Sequence, residues 1–306
     1  MPLTTASNTQ MESGFTRGWP LVLLFITLLT LSGWAYLVAM VADMVPVMDM
    51  TEAGPGMGLL NQFNLFKGLT ADARAALAVL CLPAGATFGM PGPAMAATDV
   101  LKIFVMWAMM AFAMMLPSAI PMLRAYHLKL GQDTNLKINP ASAVISASMG
   151  YVLVWLGYAA VATSAQVLLF KIGAVSDMMA PATLALTTSV LFAAGLYQFT
   201  PAKKACLARC WYPRWVFAET NTGNRVATGM KEGVVQGWAC LGCCWAVMTV
   251  MFAVGLMNVI WIALLGAVMA LEKTFPSRIF PNLLGVFFLM WAGFLTTLIL
   301  VDGNAF

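Results

Sequence analysis

Three cysteines on about one and a half helical turns are the most distinctive chemical feature of this 306-residue chain. They are Cys240, Cys243 and Cys244, and Met248 and Met251 follow on the same stretch. In a helix this spacing keeps all five sulfur atoms on one face. Thiolates bind Cu(I), Zn(II) and iron–sulfur clusters, although a buried cysteine can also serve as a small apolar side chain. The pattern therefore indicates a soft-metal site, with simple helix packing as the alternative.

A second pair of thiols, Cys206 and Cys210, has the i, i+4 spacing of one helix face and lies in a basic segment. In a reducing cytosol both would stay as thiols, which favours metal capture or redox exchange over a structural disulfide. We expect this pair to lie toward the same side of the membrane as the Cys240 cluster. The sixth cysteine, Cys81, has no predicted role.

Methionine is unusually frequent, with 24 residues, and four of them form a stripe at Met106, Met109, Met110 and Met114. At the helical period these four fall within an arc of roughly 140°, and Met115 points elsewhere. A thioether is a neutral, soft ligand that can hold Cu(I) without adding charge. The alternative is that these side chains only fill helix interfaces.

Other kinds of chemistry have few candidate residues. The chain has one histidine, His127, which excludes a two-histidine metal site, and we expect it to be solvated in a loop. No phosphate-binding loop, Ser-His-Asp set, paired carboxylates or dinucleotide fingerprint is present. We therefore expect a protein that is not an enzyme. Nor does the small surplus of positive charge indicate a nucleic-acid partner.

The elements that must position these residues are membrane helices. Apolar residues make up 61% of the chain and charged residues 9%, far below the share in soluble domains. The sequence predicts an all-α polytopic membrane bundle of about seven spans. The candidate spans are Pro20–Ala42, Asp99–Pro121, Ala141–Phe170, Ala182–Thr200, Val234–Gly255, Leu256–Leu271 and Asn282–Val301. The fifth and sixth read as a hairpin.

The basic residues predict the orientation. With seven spans and the N-terminus inside, 12 of the 16 Lys and Arg residues lie on the inner side, and the C-terminus is outside. We expect a disordered tail at 1–19 and a single membrane domain at 20–306. We also expect an extracytoplasmic loop at 43–98, whose methionines beside Asp43 and Asp49 suit either copper capture or interfacial packing. At the inner boundary, Glu272 and Lys273 are expected to form an ion pair.

Three blocks resemble a known family, the predicted metal-binding integral membrane proteins, which include copper-chaperone-like members. They are the W-x2-M-x3-MMLPS-type block at Trp107–Ser118, the G-L-Y-Q-x-T-P-x-K-x-x-C-L-x-x-C block at Gly195–Cys210, and the block that starts with C-x-G-C-C-W at Cys240–Trp245. The third block continues through Gly255–Asn258, Trp261 and Glu272-Lys273. The resemblance covers about residues 100–300 and leaves out the loop at 43–98. It implies a protein that binds a metal within the membrane.

Together, the residues and the resemblance predict a multi-pass protein of the bilayer, with a bacterial inner membrane as its expected location. We expect it to bind Cu(I) and to help load a copper-dependent enzyme. The inner ligands would be Cys206, Cys210, Cys240, Cys243 and Cys244, and the transfer or outer ligands Met106, Met109, Met110, Met114, Met248 and Met251. The alternatives are a membrane thiol–disulfide electron carrier that uses Cys240/Cys243 and Cys206/Cys210, or an accessory subunit of a membrane complex.

Overall fold

The computed structural model describes residues 18–45, 49–64, 68, 97–131, 140–173, 183–215 and 224–303. Within these ranges the secondary structure is helical, and no strand is present. We number the α-helices α1 (Trp19–Met44), α2 (Ala97–Gly131), α3 (Pro140–Lys171), α4 (Leu184–Phe199), α5 (Pro201–Trp211), α6 (Arg225–Thr249), α7 (Met251–Val254), α8 (Val259–Thr274) and α9 (Ile279–Gly303). Two short 3₁₀ helices, Met50–Ala53 and Met57–Phe63, lie between α1 and α2.

Each of the seven predicted spans coincides with a helix, and five of the helices are long and apolar enough to cross a membrane. These five are α1, α2, α3, α9 and the continuous stretch of α6 and α7. The other two, α4 and α8, have 16 residues each, somewhat short of the usual length of a span. The second span also runs further than predicted, since α2 continues through Pro121 to Gly131.

Glycines bring α3 and α6 into direct backbone contact. Gly229 and Gly233 lie one turn apart on α6, and a Cβ atom at Gly233 would lie 1.9 Å from the carbonyl oxygen of Ala147. On α3, a Cβ at Gly150 would lie 2.2 Å from the carbonyl oxygen of Met230. Small residues at four-residue spacing allow membrane helices to approach this closely. This contact sets the register that places Tyr151 of α3 beside the cysteines of α6.

Burial identifies the centre of the bundle. About two thirds of the most apolar window of α2 and 72% of that of α6 and α7 are buried, against 22% for α1 and for α9. Many large apolar residues of α1 and α9, such as Leu28 and Phe294, are exposed, as expected for helices that contact lipid. The two sulfur-rich helices, α2 and α6, are therefore the most enclosed of these spans.

The predicted hairpin between the fifth and sixth spans is confirmed by a turn after Val254. Gly255 has a φ of 99°, which favours glycine, and Asn258 caps α8 by accepting a hydrogen bond of 3.2 Å from the amide of Trp261. The side-chain amide of Asn258 also donates to the carbonyl of Pro55 at 2.9 Å. Part of the predicted outer loop, residues 49–64, is thus attached to the hairpin.

Candidate metal centre

The three cysteines of α6 converge at the centre of the bundle. The sulfur atoms of Cys240, Cys243 and Cys244 all lie within 4.8 Å of one another, and each residue is at most 3% exposed. The Sγ atoms of Cys243 and Cys244 are 3.3 Å apart. No disulfide joins them. The helix period brings the three thiols together. The close packing of α3 against α6 helps to bury them.

A fourth thiol reaches the cluster from α5. The Sγ of Cys210 lies 3.8 Å from the Sγ of Cys243. One turn earlier on α5, Cys206 packs on Gly242 of α6, where a Cβ atom would lie 2.6 Å from the Cys206 sulfur. Burial raises the pKa of the Cys206 thiol, while Arg209 opposes this effect. Of the two α5 cysteines, Cys210 is therefore the better placed to share a metal with α6.

Polar side chains from other helices surround Cys240. The ammonium group of Lys273 on α8 donates a hydrogen bond of 2.8 Å to the Sγ of Cys240 and another of 2.8 Å to the hydroxyl of Ser118 on α2. The hydroxyl of Tyr151 lies 2.8 Å from the same sulfur and 3.2 Å from the carbonyl of Met115. Cys240 thus has a cationic donor and a phenol as direct neighbours, which stabilise a thiolate better than apolar surroundings would.

The expectation of a Glu272–Lys273 ion pair is wrong. The carboxylate of Glu272 pairs instead with Lys203 of α5, at 2.9 and 3.3 Å. Adjacent residues on a helix point about 100° apart, so Glu272 and Lys273 face different neighbours. Both are buried, and so is Lys203. Charged side chains are rarely buried completely unless they are paired, so three together mark a candidate functional site.

A small cavity borders the thiols on the side where α2, α5 and α6 meet. Its volume is about 20 Å³, enough for a single water molecule or ion. Its lining includes Cys210, Cys240, Lys273, Tyr151 and Met122. Sulfur, hydroxyl and ammonium groups therefore converge on a space the size of one ion.

Most of the predicted methionine ligands are buried, but two other methionines lie next to the groups that surround Cys240. Met115 is fully buried, and its sulfur lies 3.9 Å from the Nζ of Lys273. Met122 lines the cavity, whereas Met114 packs against Gly266 of α8. Met115 and Met122 are seven residues apart and share one face of α2 with Ser118 and Ala119, a periodicity that the sequence also contains. Of the remaining predicted methionines, Met106, Met110, Met248 and Met251 are 0% exposed and Met109 is half-buried.

The sulfur geometry suits a soft metal ion. Two sulfurs bound at about 2.3 Å to one ion lie about 3.8 Å apart in a tetrahedral arrangement and about 4.6 Å apart in a linear one. The Cys210–Cys243 separation of 3.8 Å and the 4.8 Å limit on the α6 cluster are close to this range. Small side-chain rotations would therefore bring three or four sulfurs onto one ion.

Two further predictions concern His127 and the outer loop, and the one for His127 is wrong. His127 is not solvated as expected but 2% exposed, with its ring centroid 5.5 Å from that of Trp19. In the outer segment, Met50 and Met57 are fully buried. Met48 and Cys81 lie outside the described residues, as does the N-terminal tail through residue 17.

Comparison with known protein families agrees with this chemistry. The family model PpoB2, described as a copper chaperone, matches residues 104–295, which include every thiol of the cluster, Tyr151, Lys203 and the Glu272-Lys273 pair. Neither the curated proteins nor the solved structures give a match. The match covers well over half of the chain, so the chain belongs to the PpoB2 copper chaperone family.

Proposed function

We propose that this protein binds Cu(I) in the membrane through Cys240, Cys243, Cys244 and Cys210 and passes it to a copper-dependent enzyme. The observation that carries the proposal is the convergence of four thiols from two helices, with the three α6 thiols buried and Cys210 partly buried beside them. Family membership supports copper as the cargo. In this role the protein binds and releases a metal and performs no catalysis.

The donor set favours Cu(I) among the metals that thiols bind. Cu(I) is soft and accepts few ligands, so sulfur alone can satisfy it. Structural Zn(II) sites take four ligands in a tetrahedron, often four cysteines, so the thiols alone do not select Cu(I) over Zn(II), and the preference rests on family membership and on the neighbouring thioethers. The thioethers of Met115 and Met122 add soft, neutral donors beside the cluster. We also propose a transfer route by which copper leaves the thiols. It would consist of the Met106–Met114 stripe together with Met248 and Met251.

The groups around Cys240 make the cluster suited to holding charge in an apolar environment. Thiolates buried without compensation would be strongly disfavoured. The ammonium of Lys273 supplies a positive charge within hydrogen-bonding distance of Cys240, and Tyr151 supplies a hydroxyl. Ligands supported in this way by neighbouring donors are oriented for the metal before it arrives.

The distribution of basic residues suggests where copper enters. The thiol cluster lies next to α5. The sequence predicts that α5 belongs to a segment on the inner side of the membrane. Copper taken up at this side would reach Cys210 and the small cavity first. Insertion in a bacterial inner membrane, with the recipient enzyme in or across the same bilayer, completes the proposal.

The first test is to load the purified protein with Cu(I) under reducing conditions, wash it, and measure the bound metal by mass spectrometry, with Zn(II) in parallel. We expect retained copper that resists a Cu(I) chelator. Replacing Cys240, Cys243 and Cys244 together with serine should abolish retention. Cys81→Ser, which alters the one cysteine outside the predicted ligand set, is the matched control and should retain wild-type copper. Copper retention by the triple variant would refute the proposal.

The short distances between thiols also favour a second candidate, the thiol–disulfide electron carrier. Cys243 has two thiol neighbours, at 3.3 and 3.8 Å, and exchange between neighbouring thiols can pass electrons. Alkylation trapping in membranes distinguishes the two functions. A carrier should show a cysteine pair that cycles between thiol and disulfide, whereas a copper chaperone should keep these cysteines reduced.

A further inference from the structure

Lys203 and Glu272 form a buried ion pair, and among the described residues no hydrogen bond joins either side chain to a thiol. Lys203 is 0% exposed and Glu272 is 1% exposed, and their closest atoms are 2.9 Å apart. The pair joins α5 to α8. Trp211, at the other end of α5, also binds Glu272, because its indole N–H donates to the backbone carbonyl at 2.7 Å. Both ends of α5 are therefore attached to one residue of α8.

The face of α5 that carries Lys203 also carries the thiols. Lys203, Cys206, Leu207 and Cys210 follow at i, i+3, i+4 and i+7, so they share one side of the helix. Lys203 and Leu207 are buried, whereas the next lysine, Lys204, points outward and is exposed. A rotation of α5, or a shift of α5 away from α6, would therefore displace Lys203 and Cys210 together, because both lie on the same face of the helix.

A buried ion pair contributes little net stability, because taking both charges out of water offsets most of their attraction. The bundle already has extensive apolar packing. A charge-charge contact does, however, have a specific partner and a specific distance. The pair is therefore better explained by the position it imposes on α5 than by the stability it adds.

We propose that the Lys203–Glu272 pair is a positioning device that holds Cys210 against Cys243 and so makes Cys210 the fourth sulfur of the metal site. This inference rests on the proposed copper-binding function only in the identity of the metal. The placement of Cys210 is a property of the metal-free protein. Without the pair, α5 keeps the hydrogen bond from Trp211 to the backbone of Glu272 but loses its side-chain attachment to α8. We expect Cys210 then to move away from Cys243, which leaves a three-thiol site on α6.

A cross-linking assay tests the placement without copper. In a background with Cys81, Cys206, Cys240 and Cys244 replaced by serine, only Cys210 and Cys243 remain, and dibromobimane becomes fluorescent when it bridges them. The test variant combines Lys203→Met with Glu272→Gln, which leaves no unpaired buried charge. Lys204→Met is the control. We expect the double variant to lose most of the bridged product and the control to keep it. Equal bridging in both would overturn the proposal.

A copper-binding assay in the otherwise native chain tests the consequence. We expect the Lys203→Met, Glu272→Gln variant to bind Cu(I) about tenfold more weakly, a loss typical for groups that support metal ligands. X-ray absorption should show one sulfur ligand fewer than in the wild type. In a Cys210→Ser background the same double substitution should have no further effect, since both changes remove the same ligand. Additive losses or an unchanged sulfur count would overturn the proposal.

A charge reversal separates positioning from general damage. Lys203→Glu with Glu272→Lys exchanges the partners and should restore bridging and affinity at least in part, whereas either reversal alone should not. Failure of the exchange to restore either property would count against a positioning role. If the wild type retains no copper, the proposed function fails, but the bridging result still decides whether the pair positions Cys210.

Discussion

Lys273 donates a hydrogen bond of 2.8 Å to the sulfur of Cys240, while its neighbour Glu272 binds Lys203 on another helix. Two adjacent residues at the end of α8 thus contact the thiol cluster and the helix beside it from two directions. Lys273 acts on the thiols of α6, and Glu272 acts on the helix that carries Cys210. In the described part of the chain, Lys273 forms no ion pair with a carboxylate. The hydrogen bond to Cys240 is therefore the contact through which the charge of Lys273 acts on the sulfur cluster.

Replacing Lys273 with leucine should weaken Cu(I) binding by about ten- to a hundredfold, the usual effect of losing a group that supports a metal ligand. The leucine removes the charge next to Cys240 and adds no sulfur donor. The measurement is competition with a Cu(I) chelator. Lys273→Arg should retain more affinity than Lys273→Leu, because it keeps the charge. Equal affinities for Lys273→Leu and the wild type would contradict the role of Lys273.

Tyr151→Phe should have a smaller effect, because it removes the hydroxyl contacts with Cys240 and with the Met115 carbonyl but preserves the charge of Lys273 and the ring packing. A hydrogen bond of this kind contributes about 1 kcal/mol, so we expect a loss in Cu(I) affinity of about fivefold. Tyr158→Phe is the matched control. Tyr158 lies on the same helix, and its buried hydroxyl has no hydrogen-bond partner among the described residues. A larger loss from the Tyr158 change than from the Tyr151 change would refute this prediction.

Met115→Leu and Met114→Leu distinguish the two faces of α2. Both changes keep the volume nearly constant and therefore the packing. The Met115 sulfur lies near Lys273 and the thiols, whereas Met114 packs on Gly266. We expect Met115→Leu to lower Cu(I) affinity and Met114→Leu to leave it near the wild-type value. The reverse result would place the metal on the methionine stripe instead of the Met115 face.

Gly233→Leu should destabilise the bundle and abolish copper binding together. Even a single Cβ atom at this position would lie 1.9 Å from the backbone oxygen of Ala147, so α3 and α6 would have to separate. Separation would also move Tyr151 away from Cys240. Thermal unfolding in detergent measures the stability change. Gly157→Ala, where a Cβ meets no atom within 4 Å, should leave both properties unchanged. Normal stability of Gly233→Leu would contradict the close packing.

The sequence by itself predicted an all-helical, apolar chain and the three cysteines that form the core of the candidate site. Runs of apolar residues predicted the helices, because a backbone in lipid must satisfy its own hydrogen bonds. The helical period alone put Cys240, Cys243 and Cys244 on one face, since neighbours three and four residues apart always meet. Both inferences depend on local geometry, which a linear pattern specifies.

Only the tertiary structure decided which residues from other helices reach the thiols. Periodicity fixes the face on which Met114 or Met115 lies but not the partner helix that this face contacts. The same limit explains why Glu272 was assigned to its neighbour Lys273, when its partner Lys203 lies 69 residues away. Such contacts depend on helix register, which here is set by glycines such as Gly233 that permit close backbone approach. The fourth thiol, the charge at Cys240 and the ion pair on α5 are consequences of that packing.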